Sequence, residues 1–196
     1  MTSTWITRLL DLPRRGLLAR FRRCAMAAGA ALFCQLGLAA PALDWHGAVA
    51  RVNLDVQRYT LSESDFDIPV LSVGVGVPVG DGLLFELTAG SGLDEDTLGD
   101  LRLGLGHYAS ASLRMVAPPG PSGYRLLSRV GASFAGLEQR GNTNTDIDRS
   151  GLHFSLGVQR ALSARWDWSI EAVYLRLDED ITSGALRGSL SWTVRP

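Results

Sequence analysis

Leu101-Arg102-Leu103-Gly104-Leu105-Gly106-His107-Tyr108-Ala109-Ser110-Ala111-Ser112-Leu113-Arg114-Met115 is a stretch in which apolar and polar side chains trade places at almost every step. Leu101, Leu103, Leu105, Ala109, Ala111, Leu113 and Met115 share one parity; Arg102, Gly104, Gly106, Tyr108, Ser110, Ser112 and Arg114 share the other. Successive side chains of a strand point to opposite faces, so this reads as one long strand with a single apolar face.

The pattern spreads in both directions. Upstream, Ala48, Ala50, Val52, Leu54 and Val56 alternate with Arg51, Asn53, Asp55 and Gln57; downstream, Leu152, Phe154, Leu156 and Val158 alternate with His153, Ser155, Gly157 and Gln159. No stretch after His46 holds a helical stripe for more than a turn. Eight strands are expected, over about 47–61, 68–79, 83–92, 101–117, 124–140, 151–162, 166–178 and 185–194. The connections alternate in kind. Those around Gly80-Asp81-Gly82, Pro118 to Gly123 and Ser163 to Arg165 are compact, whereas 62–67, 93–100, 141–150 and 179–184 are longer and acidic. Tight turns at one end and longer loops at the other describe an antiparallel up-and-down meander.

Alternation does not itself say whether the apolar face looks at a protein core or at lipid, and a soluble barrel or sandwich would share it. Three features favour lipid. The polar face is built of glycine and serine with scattered arginine and acid, the apolar face runs over segments long enough to cross a bilayer, and aromatic residues stand near strand ends. Tyr124, Trp166, Trp168 and Trp192 toward the turns, with Tyr59 and Tyr174 toward the loops, are expected to form an aromatic girdle. Open sheet edges are costly in lipid, so the strands must close on themselves. An eight-stranded barrel is filled by its own side chains and leaves no general pore. Arg51, Arg102, Arg114, Arg129 and Arg187 with Asp55, Glu86 and Glu171 are then expected to form a charged hydrogen-bond network in the lumen.

Residues 1–42 read differently from the rest, as a removable export signal. Arg8, Arg14, Arg15, Arg20, Arg22 and Arg23 form a basic start, Cys24 to Leu38 an apolar core too short to span a bilayer, and Ala40-Pro41-Ala42 a cleavage site. Arg14-Arg15 loosely resembles a twin-arginine signal, and Cys34 raises lipidation. Phe33 before that cysteine is too large for lipoprotein processing, however, and a membrane barrel must be exported unfolded, so the general secretory route is expected. The mature domain is then 43–196. It carries 13 arginines, no lysine and 19 acids, a net charge of −6, and this excludes the basic patch a nucleic-acid partner needs. Both cysteines lie in the leader. Neither a disulfide, a cofactor nor a transition-metal site is therefore expected in the mature domain.

Eight strands, tight turns at one end and a polar lumen make the chain resemble the OmpA-type and OmpX-type small outer-membrane barrels over about 44–196. The resemblance implies a monomeric barrel in the outer membrane of a Gram-negative bacterium, with both ends of the domain on the periplasmic side. It implies a structural, envelope-stabilising or adhesive role. In that family an aromatic residue near the end of the last strand is read by the assembly machinery. Here Leu186, Gly188, Leu190, Trp192 and Val194 alternate as required and Arg195-Pro196 follow, so Trp192 would serve from a displaced position.

Two chemistries remain to be tested against geometry. The loop acids Glu63, Asp65, Asp67, Asp94, Glu95, Asp96, Asp100, Asp146, Asp148, Glu179 and Asp180 offer hard oxygen ligands for Mg²⁺ or Ca²⁺ bridging to lipopolysaccharide phosphates, against the simpler reading that they only solvate the loops. His153-Phe154-Ser155 resembles the His-x-Ser spacing of lipid A deacylases, with Glu171 as the group that would orient the histidine. That family has asparagine after its serine, where this chain has Leu156.

Overall fold

A computed structural model of the protein describes residues 47–61, 64–141, 144–177 and 181–194. The expected leader with Cys24, Cys34 and its cleavage site lies outside these residues, as do His46, Glu63, Glu179 and Asp180.

Among the described residues the strands are β1 Val49–Leu61, β2 Ser64–Gly80, β3 Leu83–Gly92, β4 Asp96–Leu98, β5 Leu101–Val116, β6 Tyr124–Arg140, β7 Thr145–Ala161, β8 Trp166–Arg176 and β9 Ile181–Thr193. All pairings are antiparallel. The sheet runs β3-β2-β1-β9-β8-β7-β6-β5, and β3 pairs back onto β5, closing eight strands into a barrel; β4 is a short addition on the loop end of β5. The seam where the first strand meets the last is in unbroken register from Val49↔Thr193 to Leu61↔Ile181. Gly82, at φ 66°, turns β2 into β3 in a conformation that favours glycine.

Several strands begin earlier than the sequence pattern indicates. β2 starts at Ser64, β7 at Thr145 and β9 at Ile181, so most of the expected acidic loops are paired strand. The physical reason is the alternation itself: Asp65-Phe66-Asp67-Ile68 and Asp146-Ile147-Asp148 keep the period of two. Their acids point out while Phe66 and Ile68 are buried inside and Ile147 packs against that interior.

Within the lower barrel the apolar face is outside. Val52, Leu54, Leu113, Val130, Leu156, Ile170 and Leu186 are exposed, whereas Ser112, Ser155, Ser169 and Ser189 are buried in the lumen. A protein in water would reverse this. On β8 the outward apolar run extends from Trp166 to Tyr174, roughly 20 Å of height at ~3.3 Å per residue and a ~40° tilt, close to the ~25 Å band of outer-membrane barrels.

Toward the loop end the polarity inverts. The inward face of β2 passes from Gly76, Gly74 and Ser72 to Val70, Ile68 and Phe66, all buried, and that of β8 from Ser169 and Glu171 to Val173 and Leu175. On β5 a bulge makes the change. Register shifts between Leu105 and His107, so Leu103 and Leu105 face inward while Ala109, Leu113 and Met115, of the same sequence parity, face outward. The expectation of one continuous apolar face on this strand is thereby corrected: the extra residue of a bulge exchanges the two faces. The His107 ring lies outside, stacked on Phe134 at 5.3 Å, and packs so closely over Gly136 that a Cβ there would collide with it.

Candidate functional site

Among the described residues the lumen buries Arg51, Arg114, Arg129 and Arg187 with Asp55, Glu86 and Glu171, none more than 5% exposed. Charges so placed must find partners, because desolvation outweighs whatever a distant counter-charge returns. Near the turn end Glu86 is surrounded by Arg129 Nη2 at 2.9 Å, Arg51 Nη1 at 3.1 Å and Arg114 Nη1 at 3.7 Å. Arg129 reaches on to Glu171 Oε1 at 3.3 Å, and Ser155 Oγ donates to Glu171 Oε2 at 2.8 Å. Arg51 Nε donates to Ser191 Oγ at 2.9 Å, and Arg114 donates to Gln159. Higher up, Arg187 and Asp55 form a second group, with Gln57 Nε2 donating to Asp55 Oδ2 at 3.3 Å and Tyr59 Oη to Gln57 Oε1 at 2.6 Å.

Arg102, expected in this network, is exposed on the outer surface. It lies beyond the β5 bulge, where even-numbered positions have turned outward. Tyr59 is also corrected: it is fully buried in the lumen and cannot belong to a lipid-facing girdle. The other aromatic positions are on the outside. Tyr124 and Trp168 meet edge to face at 6.2 Å, the Arg160 guanidinium lies 5.1 Å from the Tyr124 ring centre, and Trp166 is the cross-strand partner of Trp192. Toward the loop end Tyr174 is joined by Phe134 and its cross-strand partner Phe154, neither of which the strand-end rule had singled out.

Above the charged groups the lumen is closed by apolar side chains. Phe66, Ile68, Val70, Leu103, Leu105 and Leu137 belong to one buried cluster that also holds Tyr59 and Tyr108. Sequence reasoning missed this plug because it assigned a single polarity to each face. The turn end is different in character: a cavity of about 520 Å³ opens there, lined by Arg114, Arg125, Gln159, Asp167 and Ser191 among others.

The alternative relay of Ser155, His153 and Glu171 is not assembled. Glu171 engages Ser155 and Arg129, while His153 Nδ1 pairs with Ser133 Oγ at 2.8 Å. All three are buried in the lumen, away from the lipid that an acyl hydrolase must reach. The arrangement instead continues a polar chain, since Ser133 also bonds Tyr108 Oη at 3.2 Å.

Of the acids at the loop end, many already have partners. Asp67 takes Arg58 in a two-point pair at 2.8 and 2.9 Å, which raises the exposed guanidinium's pKa mainly through those hydrogen bonds; Asp65 accepts from Thr60 at 2.7 Å. Asp96 Oδ2 accepts the Asp67 N–H at 2.8 Å, Glu95 faces Arg140 at 3.4 Å, and Asp148 faces His107 at 3.5 Å. Asp94 accepts the Glu95 N–H at 2.9 Å, and Asp100 and Asp146 are exposed. Among the described residues no three acidic, histidine or cysteine side chains converge as a metal site.

The fold is similar to the crystal structure of Neisserial surface protein A, with TM-score 0.59 and 14% identity, covering 74% of this chain and 96% of that one. It is also similar to Ail, the attachment invasion locus protein of Yersinia pestis, solved in complex with the heparin analogue sucrose octasulfate (TM-score 0.57, 10% identity, 76% of this chain and 99% of that one). A third similar structure is the N-terminal β-barrel domain of OprF from Pseudomonas aeruginosa (TM-score 0.54, 11% identity, 75% and 98%). No curated protein matches the chain in sequence. The three likenesses carry the fold alone. The family model for the outer membrane protein beta-barrel domain matches residues 25–193, and the chain belongs to that family of outer-membrane β-barrels.

Proposed function

We propose that this outer-membrane barrel is a plugged, monomeric structural element of the envelope, which displays its loop-end hairpins at the cell surface and conducts nothing across the membrane. The observation that carries this reading is the apolar cluster around Phe66, Leu103 and Leu137, which fills the lumen above the charged network. Water and ions have no continuous polar path past such side chains. Export by the general secretory route, insertion by the outer-membrane assembly machinery and a periplasmic position for the turn end belong to the same proposal.

The partner chemistry follows from the outer rim. There the described acids outnumber the arginines, unlike the rim expected of a protein selecting sulfated polysaccharide, so contact with lipopolysaccharide phosphates runs through divalent cations. Reconstitution in a planar bilayer tests the central reading. The folded barrel should give no stable conductance steps at potentials where a porin conducts; persistent ohmic steps would overturn it.

A further inference from the structure

The cavity at the turn end has an unusual floor. Arg114 lines it, and behind Arg114 the buried Arg51 and Arg129 face Glu86 and Glu171, three guanidinium groups against two carboxylates, while Arg187 is paired with Asp55 higher up. Arg114 is the poorly paired member. It lies 3.7 Å from a carboxylate that Arg51 and Arg129 already hold at 3.1 and 2.9 Å. Arg114 Nε and Arg51 Nη2 are buried donors with no hydrogen-bond partner among the described residues, as are Arg129 Nε and Arg187 Nη1 elsewhere in the lumen. The carboxylates nearer the mouth do not cancel this excess: Asp167 is only half-buried and shares the wall with Arg125, and Asp81 is exposed in the β2–β3 turn. Charges at a wet rim are screened, whereas a buried guanidinium needs a partner in contact.

We propose that this floor binds a small oxyanion of the inorganic phosphate class. Arg114, which lines the cavity, supplies the charge at the site, Arg51 adds to it from behind, and Gln159 and Ser191 are the neutral groups of the lining beside them. Guanidinium forks match tetrahedral oxyanions in both geometry and charge, and a single negative ligand here neutralises the one unmatched arginine. The cavity, about 520 Å³, leaves room for the ion with part of its hydration shell. The apolar plug closes the other end of the lumen, so the ion enters and leaves only through the turn-end mouth, and the site is charged from the solution on that side of the membrane.

Calorimetric titration of the detergent-solubilised barrel with inorganic phosphate, at ionic strength held constant with chloride, tests this independently of the proposed envelope role. Saturable binding and a raised unfolding temperature are expected for the unaltered protein. Arg114→Gln should weaken binding at least tenfold while retaining the heat-dependent gel migration of a closed barrel, and Arg125→Gln at the mouth should change it less than twofold. If Arg114→Gln does not fold, Arg114→Lys serves, since it keeps the charge and loses the fork; it too should bind more weakly. No phosphate effect beyond that of chloride, equal binding by the Arg114 variants, or an equal loss from Arg125→Gln would each overturn the proposal.

Discussion

Asp55 and Arg187 are direct cross-strand partners at the seam that closes the barrel. The guanidinium Nε lies 2.9 and 3.0 Å from the two carboxylate oxygens, and Nη2 lies 2.8 Å from Oδ2, between residues 132 positions apart in sequence. Both side chains are buried, so neither has water to fall back on. Asp55→Ala should lower stability by about 3–5 kcal/mol because it strands Arg187, whereas Asp55→Ala with Arg187→Met should recover most of that loss. Urea unfolding in lipid vesicles, followed by tryptophan fluorescence, measures both; equal losses in the single and double variants would remove the pair from the account of closure.

Deleting Gly106 should remove the bulge without turning any side chain over, because Leu105 and His107 already pair with the consecutive residues Leu137 and Gly136. Leu103 and Leu105 would stay in the plug and Arg102 would stay outside, now in plain alternation with His107 and Tyr108. We expect the heat-resistant folded band on gels to be retained. Loss of that band would show that the extra residue does more than exchange the parity of the two faces.

A charge placed on the outward face should be costly according to depth. Leu156→Arg, in the middle of the exposed apolar run of β7, should cost about 2–4 kcal/mol, and Ser150→Arg, nearer the boundary, about 0–1 kcal/mol. Equal costs at the two positions would contradict a lipid-facing belt.

Ser155→Ala should leave lipid A acylation of the host membrane unchanged. Ser155 donates to a Glu171 carboxylate that the Arg129 guanidinium also holds, and His153 is turned to Ser133, so no imidazole is poised to activate the hydroxyl. Mass spectrometry of extracted lipid A decides this, and a shift in acyl number upon replacing Ser155 would revive hydrolase chemistry.

Retention of the barrel on immobilised lipopolysaccharide should fall when divalent cations are chelated and return on adding Mg²⁺. The exposed Asp100 and Asp146 are the side chains to replace first. Unchanged retention in chelator would leave the acids as solvating groups only.

The individual misreadings share one cause. Parity places Arg102 in the lumen and distance from a strand end places Tyr59 in the girdle, and both rules assume that a face keeps one polarity along its whole length. Above the lipid belt the surroundings are polar on the outside, and the same strands then gain by burying Phe66, Leu103 and Leu137. The acids that flank Phe66 and Ile147 read as loops from sequence because, in isolation, an acidic alternation and an acidic turn look alike.

What the sequence determined by itself is the local rule: a two-residue period interrupted by turn chemistry, which dictates antiparallel strands, their number and the side of the lower barrel that carries arginine. Tertiary structure alone decided which carboxylate each arginine meets, where the bulge exchanges faces, and that the lumen is sealed at one end and open at the other. Those outcomes depend on register across strands as distant as β1 and β9, and on whether lipid or water lies beyond each segment, neither of which is encoded in the spacing along a single strand.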